Sequence, residues 1–169
     1  RQNRPEMFAD TLWYSSREVR TEYEQSQITH LFKGLEDVWS LHLGLYENDQ
    51  LIGWSSSFAM KPNELYMMNS VVFPGHRRKG YYTLMVKEVL MEAKLAGFQT
   101  VTSQHVCTNN DVIIPKLKLN FKITGMQVMD EFGVTVNLTY FLNETRAKAM
   151  EFRSGMSKPD MELKTLFKM

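Results

Sequence analysis

The twelve residues Val72-Phe73-Pro74-Gly75-His76-Arg77-Arg78-Lys79-Gly80-Tyr81-Tyr82-Thr83 decide how this chain is read. They join an apolar run, Val71-Val72-Phe73, to a long amphipathic stretch through a short basic loop. The run is apolar on both faces, as in a buried, central strand, and Pro74 and Gly75 end it. From Tyr81 to Ala96, the residues Tyr82, Met85, Val86, Val89, Ala93 and Ala96 fall on one helical face, with Lys87, Glu88, Glu92 and Lys94 polar. Gly97 is placed to end that helix. A helix N-terminus presents unpaired N–H groups and a partial positive charge, which together suit a phosphate. Gly80 has no Cβ and lets the backbone approach closely, while Arg77, Arg78 and Lys79 add full charges. The plain alternative for the basic run is a solvated loop.

Upstream, charges mixed with apolar residues predict helices over Glu6–Trp13 and Arg17–Leu35, with Gly34 as a stop. A two-residue period then begins: Leu41, Leu43 and Leu45 alternate with His42, Gly44 and Tyr46. Glu47-Asn48-Asp49-Gln50 is turn chemistry before Leu51-Ile52-Gly53-Trp54, which predicts a hairpin. Lys61-Pro62-Asn63 is a second turn, and Glu64–Phe73 the next strand. Downstream, Phe98–Val106 reads as a strand and Asn110 to Leu119 as a short amphipathic segment. Phe121–Asp130 and Val134–Leu142 read as a hairpin, and the tail from Asn143 as partly helical, broken at Gly155 and Pro159. The order implies a mixed sheet with helices packed on it, an α/β fold of the α+β mixed kind. The crossover helix makes Glu64–Phe73 and Phe98–Val106 parallel.

At 169 residues the chain has the length of one domain. Lys and Arg number 20 against 19 Asp and Glu, a net charge of +1, which excludes a global polyanion binder and leaves any phosphate to a local feature. No nucleic-acid partner is expected. The single Cys107 rules out an internal disulfide framework and a multi-cysteine zinc site, and His30, His42, His76 and His105 show no metal-ligand spacing, so no metal is expected. Apolar runs are far shorter than the roughly 20 residues that span a bilayer, and no basic-then-apolar signal pattern opens the chain, which begins at Arg1. These readings predict no membrane partner and a cytoplasmic location.

Two nucleotide-loop spellings fail. Gly75 and Gly80 have the spacing of a Walker loop, but Tyr81-Tyr82 follows where Lys and then Ser or Thr are needed, and no third glycine completes a Rossmann pattern. A third spelling fits. Arg77-x-x-Gly80-x-Tyr82, between a strand ending Val72-x-Pro74 and a long helix, resembles the coenzyme A pyrophosphate loop of the GNAT acetyltransferase superfamily. Tyr82 departs from that pattern, which has Gly or Ala there. Asn110 to Gly125 is similar to the family's second motif, with Asn120 where a Gly-Phe step is usual and Lys116 where many members carry the Tyr that protonates the thiol. The resemblance spans about Leu41 to Leu142.

That resemblance implies a mostly antiparallel sheet with a central, splayed parallel pair and flanking helices. It implies one acyltransferase domain over residues 1–143, with 1–40 as a helical acceptor-side segment and 144–169 as a C-terminal tail. Acetyl-CoA is the implied co-substrate. Its pantetheine arm would lie between the splayed strands against the backbone of Val71 and Val72 and against Asn110, and amides from Arg77 to Tyr82, with Thr83 completing the helix entrance, would hold the pyrophosphate. The implied reaction is direct attack by a primary amine on the thioester. The amine belongs to a small molecule, a peptide or protein N-terminus, or a lysine, and a homodimer is left open. Candidate catalytic groups are Glu64, as a carboxylate base; Asn69, with Ser70, to orient water or acceptor; His105, as a base; and Lys116, as a proton donor or a cation beside the thiolate. Each has a plain reading as well: a strand-edge charge for Glu64, core polar pairing for Asn69, a structural histidine for His105. A Cys107–His105 nucleophile pair would need more than two-residue spacing. The alternative to an enzyme is a GNAT-like acyl-CoA-binding or interaction module with weak or no catalysis, motivated by Tyr82 and Lys116.

Overall fold

The computed structural model describes residues 18–31 and 37–169. Within these, α1 covers Glu22–Leu31, inside the expected second helix. The expected helix over Glu6–Trp13 and the stop at Gly34 lie outside the described residues. Strands β1 (Ser40–Glu47) and β2 (Gln50–Lys61) form the first hairpin. Its two turn residues, Asn48 and Asp49, have φ of 49° and 62°, the left-handed pair that a two-residue hairpin turn requires and that Asn and Asp tolerate. Pro62 and Asn63 turn the chain into β3 (Glu64–Val72), antiparallel to β2. A short turn of 3₁₀ helix, Pro74–His76, leads to α2 (Tyr81–Leu95).

Helix α2 buries Met85, Val86, Val89 and Ala93 on the face its spacing predicts. It ends in a Schellman arrangement: the Phe98 N–H donates to the Ala93 carbonyl and the Gly97 N–H to that of Lys94, with Gly97 at φ 87°. The chain continues through β4 (Thr100–Val106), α3 (Asn110–Lys118), β5 (Lys122–Met129) and β6 (Gly133–Phe141). Two helices, α4 (Glu144–Arg153) and α5 (Met161–Phe167), follow. Asn143 caps α4 by accepting from the Arg146 N–H, and Asp160 caps α5 by accepting from the Leu163 N–H.

The six strands lie in the order β1-β2-β3-β4-β6-β5, and β3 and β4 are its parallel pair. The fold is thus mixed α/β with a mostly antiparallel sheet. The core joins Leu65 and Met67 of β3, Val101 of β4 and Val136 and Leu138 of β6 to the apolar face of α2 and to Ile113 and Phe121. Full burial of such side chains contributes about 1.5–3 kcal/mol each.

The parallel ladder is short. It pairs Glu64 with Thr100, Leu65 with Val101 and Tyr66 with Thr102, and then stops. Beyond it, β3 stays on β2 as far as Gly53↔Val72, and β4 stays on β6 as far as Val106↔Thr135. Against β2, Ser57 faces Met67 and Ser56 faces Asn69, so Met68 is an extra residue in β3. A bulge of this kind bends its strand and raises its local twist. It falls just past the last parallel pair, where the two strands part.

Candidate active site

The parting of β3 and β4 opens a cavity of about 290 Å³. Tyr66, Met67, Met68, Asn69 and Ser70 line it from β3, and Gln104, His105 and Val106 from β4. Tyr82 closes one side from α2, Val112 and Lys116 another from α3, and Asn109, Phe132 and Thr135 complete the lining. Among the described lining residues there is no carboxylate.

The basic loop leads into α2, whose first turn carries Tyr82 in the cavity wall. Gly80 is the N-cap of α2 at φ 84°, with no side-chain cap, and a Cβ built there would meet nothing within 4 Å. The N-terminus of α2 therefore lacks a side-chain cap, and its entrance leaves room beside Gly80, the arrangement that receives an anion. Arg78 is also left-handed, at φ 62°, and Arg78 and Lys79 are exposed. Arg77 Nε donates to the Val72 carbonyl at 3.0 Å, tying the loop to the end of β3. Tyr81 points to β1, where its hydroxyl donates to Glu47 Oε1 at 2.5 Å. That bond holds the Tyr81 phenol above its ordinary pKa and, with His76 and Lys79 nearby, keeps the Glu47 carboxyl below its own. His76 Nδ1 lies 3.3 Å from Glu47 Oε2, so Glu47 of β1 stands beside both the loop and the start of α2. Thr83 is half-buried in the first turn of α2.

Lys116 is 1% exposed. Its Nζ donates to Ser103 Oγ at 2.7 Å, lies 3.6 Å from Met67 Sδ, and sits 5.0 Å from the centre of the Phe121 ring. The ring is held there by a second Schellman turn. The Phe121 N–H donates to the Lys116 carbonyl and the Asn120 N–H to that of Leu117, with Asn120 at φ 72°. Asn thus fills the left-handed position that Gly would otherwise take. Burial strips an ammonium of water, and the Lys116 pKa is pushed down to about 7. His105 Nε2 lies 3.0 Å from the same Ser103 Oγ. Burial, with the Lys116 charge adding to it, pushes the His105 pKa down to about 3, so the ring is neutral near pH 7.

The remaining sequence candidates fall in different places. Asn69 lines the cavity, as does Ser70, whose Oγ is 2.8 Å from Ser55 Oγ. Glu64 does not line it. That carboxylate stands at the closed end of the parallel pair, where Oε1 accepts from Thr102 Oγ1 at 3.4 Å and Oε2 from Lys61 Nζ at 3.4 Å. Val71 and Val72 are buried and lie beyond the lining residues of β3. Asn110 opens α3 and is exposed, and its neighbour Asn109 reaches the cavity. Tyr82 turns its ring inward, where burial raises its phenol pKa. Cys107 follows the end of β4 and is exposed. Sequence reasoning missed Ser103, Met67 and Gln104. The alternation of Val101, Ser103 and His105 along one strand face was the available signal for Ser103.

The acetyltransferase (GNAT) family model matches residues 6–121, more than half of the chain. Many solved structures share the fold. The protein yncA from Salmonella typhimurium with its cofactor acetyl-CoA has a TM-score of 0.62 at 15% identity, covering 95% of this chain and 88% of that one. The ribosomal-protein-S18-alanine N-acetyltransferase from Escherichia coli has a TM-score of 0.57 at 16% identity, covering 69% and 77%. Aminoglycoside 6'-acetyltransferase type Ii has a TM-score of 0.57 at 15% identity, covering 80% and 85%. No curated protein matches this sequence. The strand splay, the uncapped Gly80 helix entrance and the family match agree: this chain belongs to the GNAT family of acetyl-CoA-dependent acetyltransferases.

Proposed function

We propose that the chain moves an acetyl group from acetyl-CoA to a primary amine by direct attack within a ternary complex. The observation that carries this reading is that the cavity between β3 and β4 is walled by Tyr82, in the first turn of the helix whose N-terminus at Gly80 has no side-chain cap. Acetyl-CoA supplies the activated thioester. The N–H groups from Arg78 to Tyr82, with the charges of Arg77, Arg78 and Lys79, hold the pyrophosphate, whereas the Arg77 N–H donates to the Pro74 carbonyl at 3.3 Å. Val71, Val72 and Asn110, with Asn109, border the pantetheine arm. Asn69 orients the amine or a water from β3. Lys116, buried under Ser103 and Phe121, supplies positive charge or a proton to the departing sulfur, and His105 faces the amine side. Glu64 is a base only through intervening water, because it stands at the closed end of the splay.

The described walls offer no carboxylate to a multiply charged polyamine, which favours an acceptor with a single amine, including a peptide N-terminus or a lysine. Residues 1–143 would form the catalytic unit. The tail helix α4 is anchored to it where Arg146 Nη1 donates to Gln99 Oε1 at 3.1 Å. Among the described residues no helix is long and apolar enough to cross a membrane. The exposed free thiol of Cys107 is in keeping with a cytoplasmic location. A second reading, an acyl-CoA-binding module, is favoured by one feature: the large Tyr82 ring occupies the cavity wall where the family pattern has a small residue.

The test is thiol release from acetyl-CoA across a panel of single amines, polyamines and peptides. Amine-dependent release whose initial-rate lines intersect supports direct transfer. Saturable acetyl-CoA binding with no release for any amine supports the module instead.

A further inference from the structure

Lys116 and His105 both line the cavity, and the group that joins them does not. Ser103 is 1% exposed and stands behind the wall, its Oγ 2.7 Å from Lys116 Nζ and 3.0 Å from His105 Nε2. No hydrogen bond from a described residue engages His105 Nδ1. A serine hydroxyl has one proton to donate and two lone pairs, so it can pass a proton in either direction between two nitrogens. We infer that Ser103 is a positioning residue that relays a proton between His105 and Lys116, carrying the proton lost by the acceptor amine to the lysine beside the departing sulfur. The inference rests on the acetyl-transfer reading above.

With Lys116 neutral, His105 Nε2–H donates to Ser103 Oγ and the Ser103 hydroxyl donates to Lys116 Nζ. As the C–N bond forms and the C–S bond breaks, His105 Nδ1 takes the amine proton. The Nε2 proton passes to Ser103, and the Ser103 proton passes to Lys116. One N–H bond of the amine, one N–H bond of the ring and one O–H bond break; one ring N–H, one O–H and one ammonium N–H form. His105 ends neutral in its other tautomer, and Lys116 ends as an ammonium that protonates the thiolate.

The burial of both ends fits this use. A lysine poised near neutrality accepts and returns a proton at little cost, whereas a ring held so far below its usual basicity is a poor resting place for one. The relay removes the need to rest there. The titratable groups facing the pair are Tyr66 from β3 and Tyr82 from α2, both raised by burial and neutral in this range. Glu64 lies at the far end of β3, Asp111 is in the exposed first turn of α3, and Asp130 and Glu131 precede Phe132 in the β5–β6 turn.

The test is nitrogen NMR of histidine-labelled full-length protein without acetyl-CoA. Between about pH 6 and 8, His105 is expected to exchange Nδ1–H for Nε2–H while staying neutral, following Lys116. Ser103→Ala should abolish that exchange and lower kcat at least about tenfold, with Ser103→Thr or Ser103→Cys restoring part of both. Ring signals flat through that range in the wild-type protein, or an exchange that persists in Ser103→Ala, would overturn the relay. Because this readout needs no substrate, a missing amine-dependent thiol release with the tautomer exchange intact would instead count against the transfer reading.

Discussion

Tyr66 on β3 and Thr102 on β4 are the last residues these parallel strands pair, and the cavity begins directly beyond them. The sheet is opened by two antiparallel allegiances, β3 to β2 and β4 to β6, and by the extra residue Met68 that turns β3 aside. Filling the opening should therefore block ligand entry without loosening the fold. Met68 is 49% exposed and lines the cavity. Met68→Trp is expected to change stability by no more than about 0.5 kcal/mol while weakening acetyl-CoA at least about tenfold. Denaturant unfolding and calorimetry on the same preparation check both halves.

The helix entrance makes a second prediction. Gly80 is at φ 84°, whereas Gly75 is not in the left-handed region, and a Cβ at either meets nothing within 4 Å. Gly80→Ala should cost about 1–2 kcal/mol of conformational strain and, if the pyrophosphate sits at this helix entrance as proposed, reduce acetyl-CoA affinity through the added methyl. Gly75→Ala should leave stability and affinity close to wild type. Equal effects at the two positions would mean that backbone conformation at Gly80 is not what the ligand reads.

Lys116 makes a prediction about pH. Its pKa falls from 10.5 unfolded to about 7 folded, so between these values the unfolded chain binds more protons. Stability must then rise with pH from about 7 toward 10.5, with the penalty of the buried charge fully present below that window. The rise has an upper figure on the order of 5 kcal/mol. Lys116→Met should remove it, leaving the variant more stable than wild type at neutral pH and little different at high pH. His105 has the same sign in a lower window, between about 3 and 6.5. Denaturation midpoints of wild type and variant across pH measure the difference directly.

Much of the fold was legible because its signals are local. Asn48-Asp49 specified the hairpin turn, the apolar face of α2 and its Gly97 stop specified the crossover helix, and the crossover specified a parallel pair. The strand order was not legible: β6 inserts between β4 and β5, a choice made by long-range packing. For the same reason the sequence could nominate Glu64, Asn69, His105 and Lys116 but not sort them. Only the point at which the parallel ladder stops leaves Glu64 outside the cavity and the other three on its wall. For Ser103 the sequence offered only a strand face shared with His105, because an ordinary strand serine acquires meaning only from the lysine of α3 and the histidine two residues on.

The tail supplies a stability prediction. Leu163 of α5 is 1% exposed, although the helix is short and lies at the end of the chain. Leu163→Ala should cost about 2–5 kcal/mol, the range for a buried leucine truncated in place. Thermal unfolding that moves by less than a degree would show that residues 144–169 are an independent appendage. A large loss would show that they are part of the domain's core.

The proposed role of the basic helix entrance is to hold acetyl-CoA for transfer in the adjoining cavity. Calorimetric titration of acetyl-CoA into the wild-type protein and into the Arg77→Glu, Arg78→Glu double variant tests it most directly. Saturable one-to-one binding by the wild-type protein is expected, with a loss of at least about tenfold in the variant and its unfolding transition retained. No binding by the wild-type protein at millimolar ligand, or equal affinity in the two proteins, would contradict it.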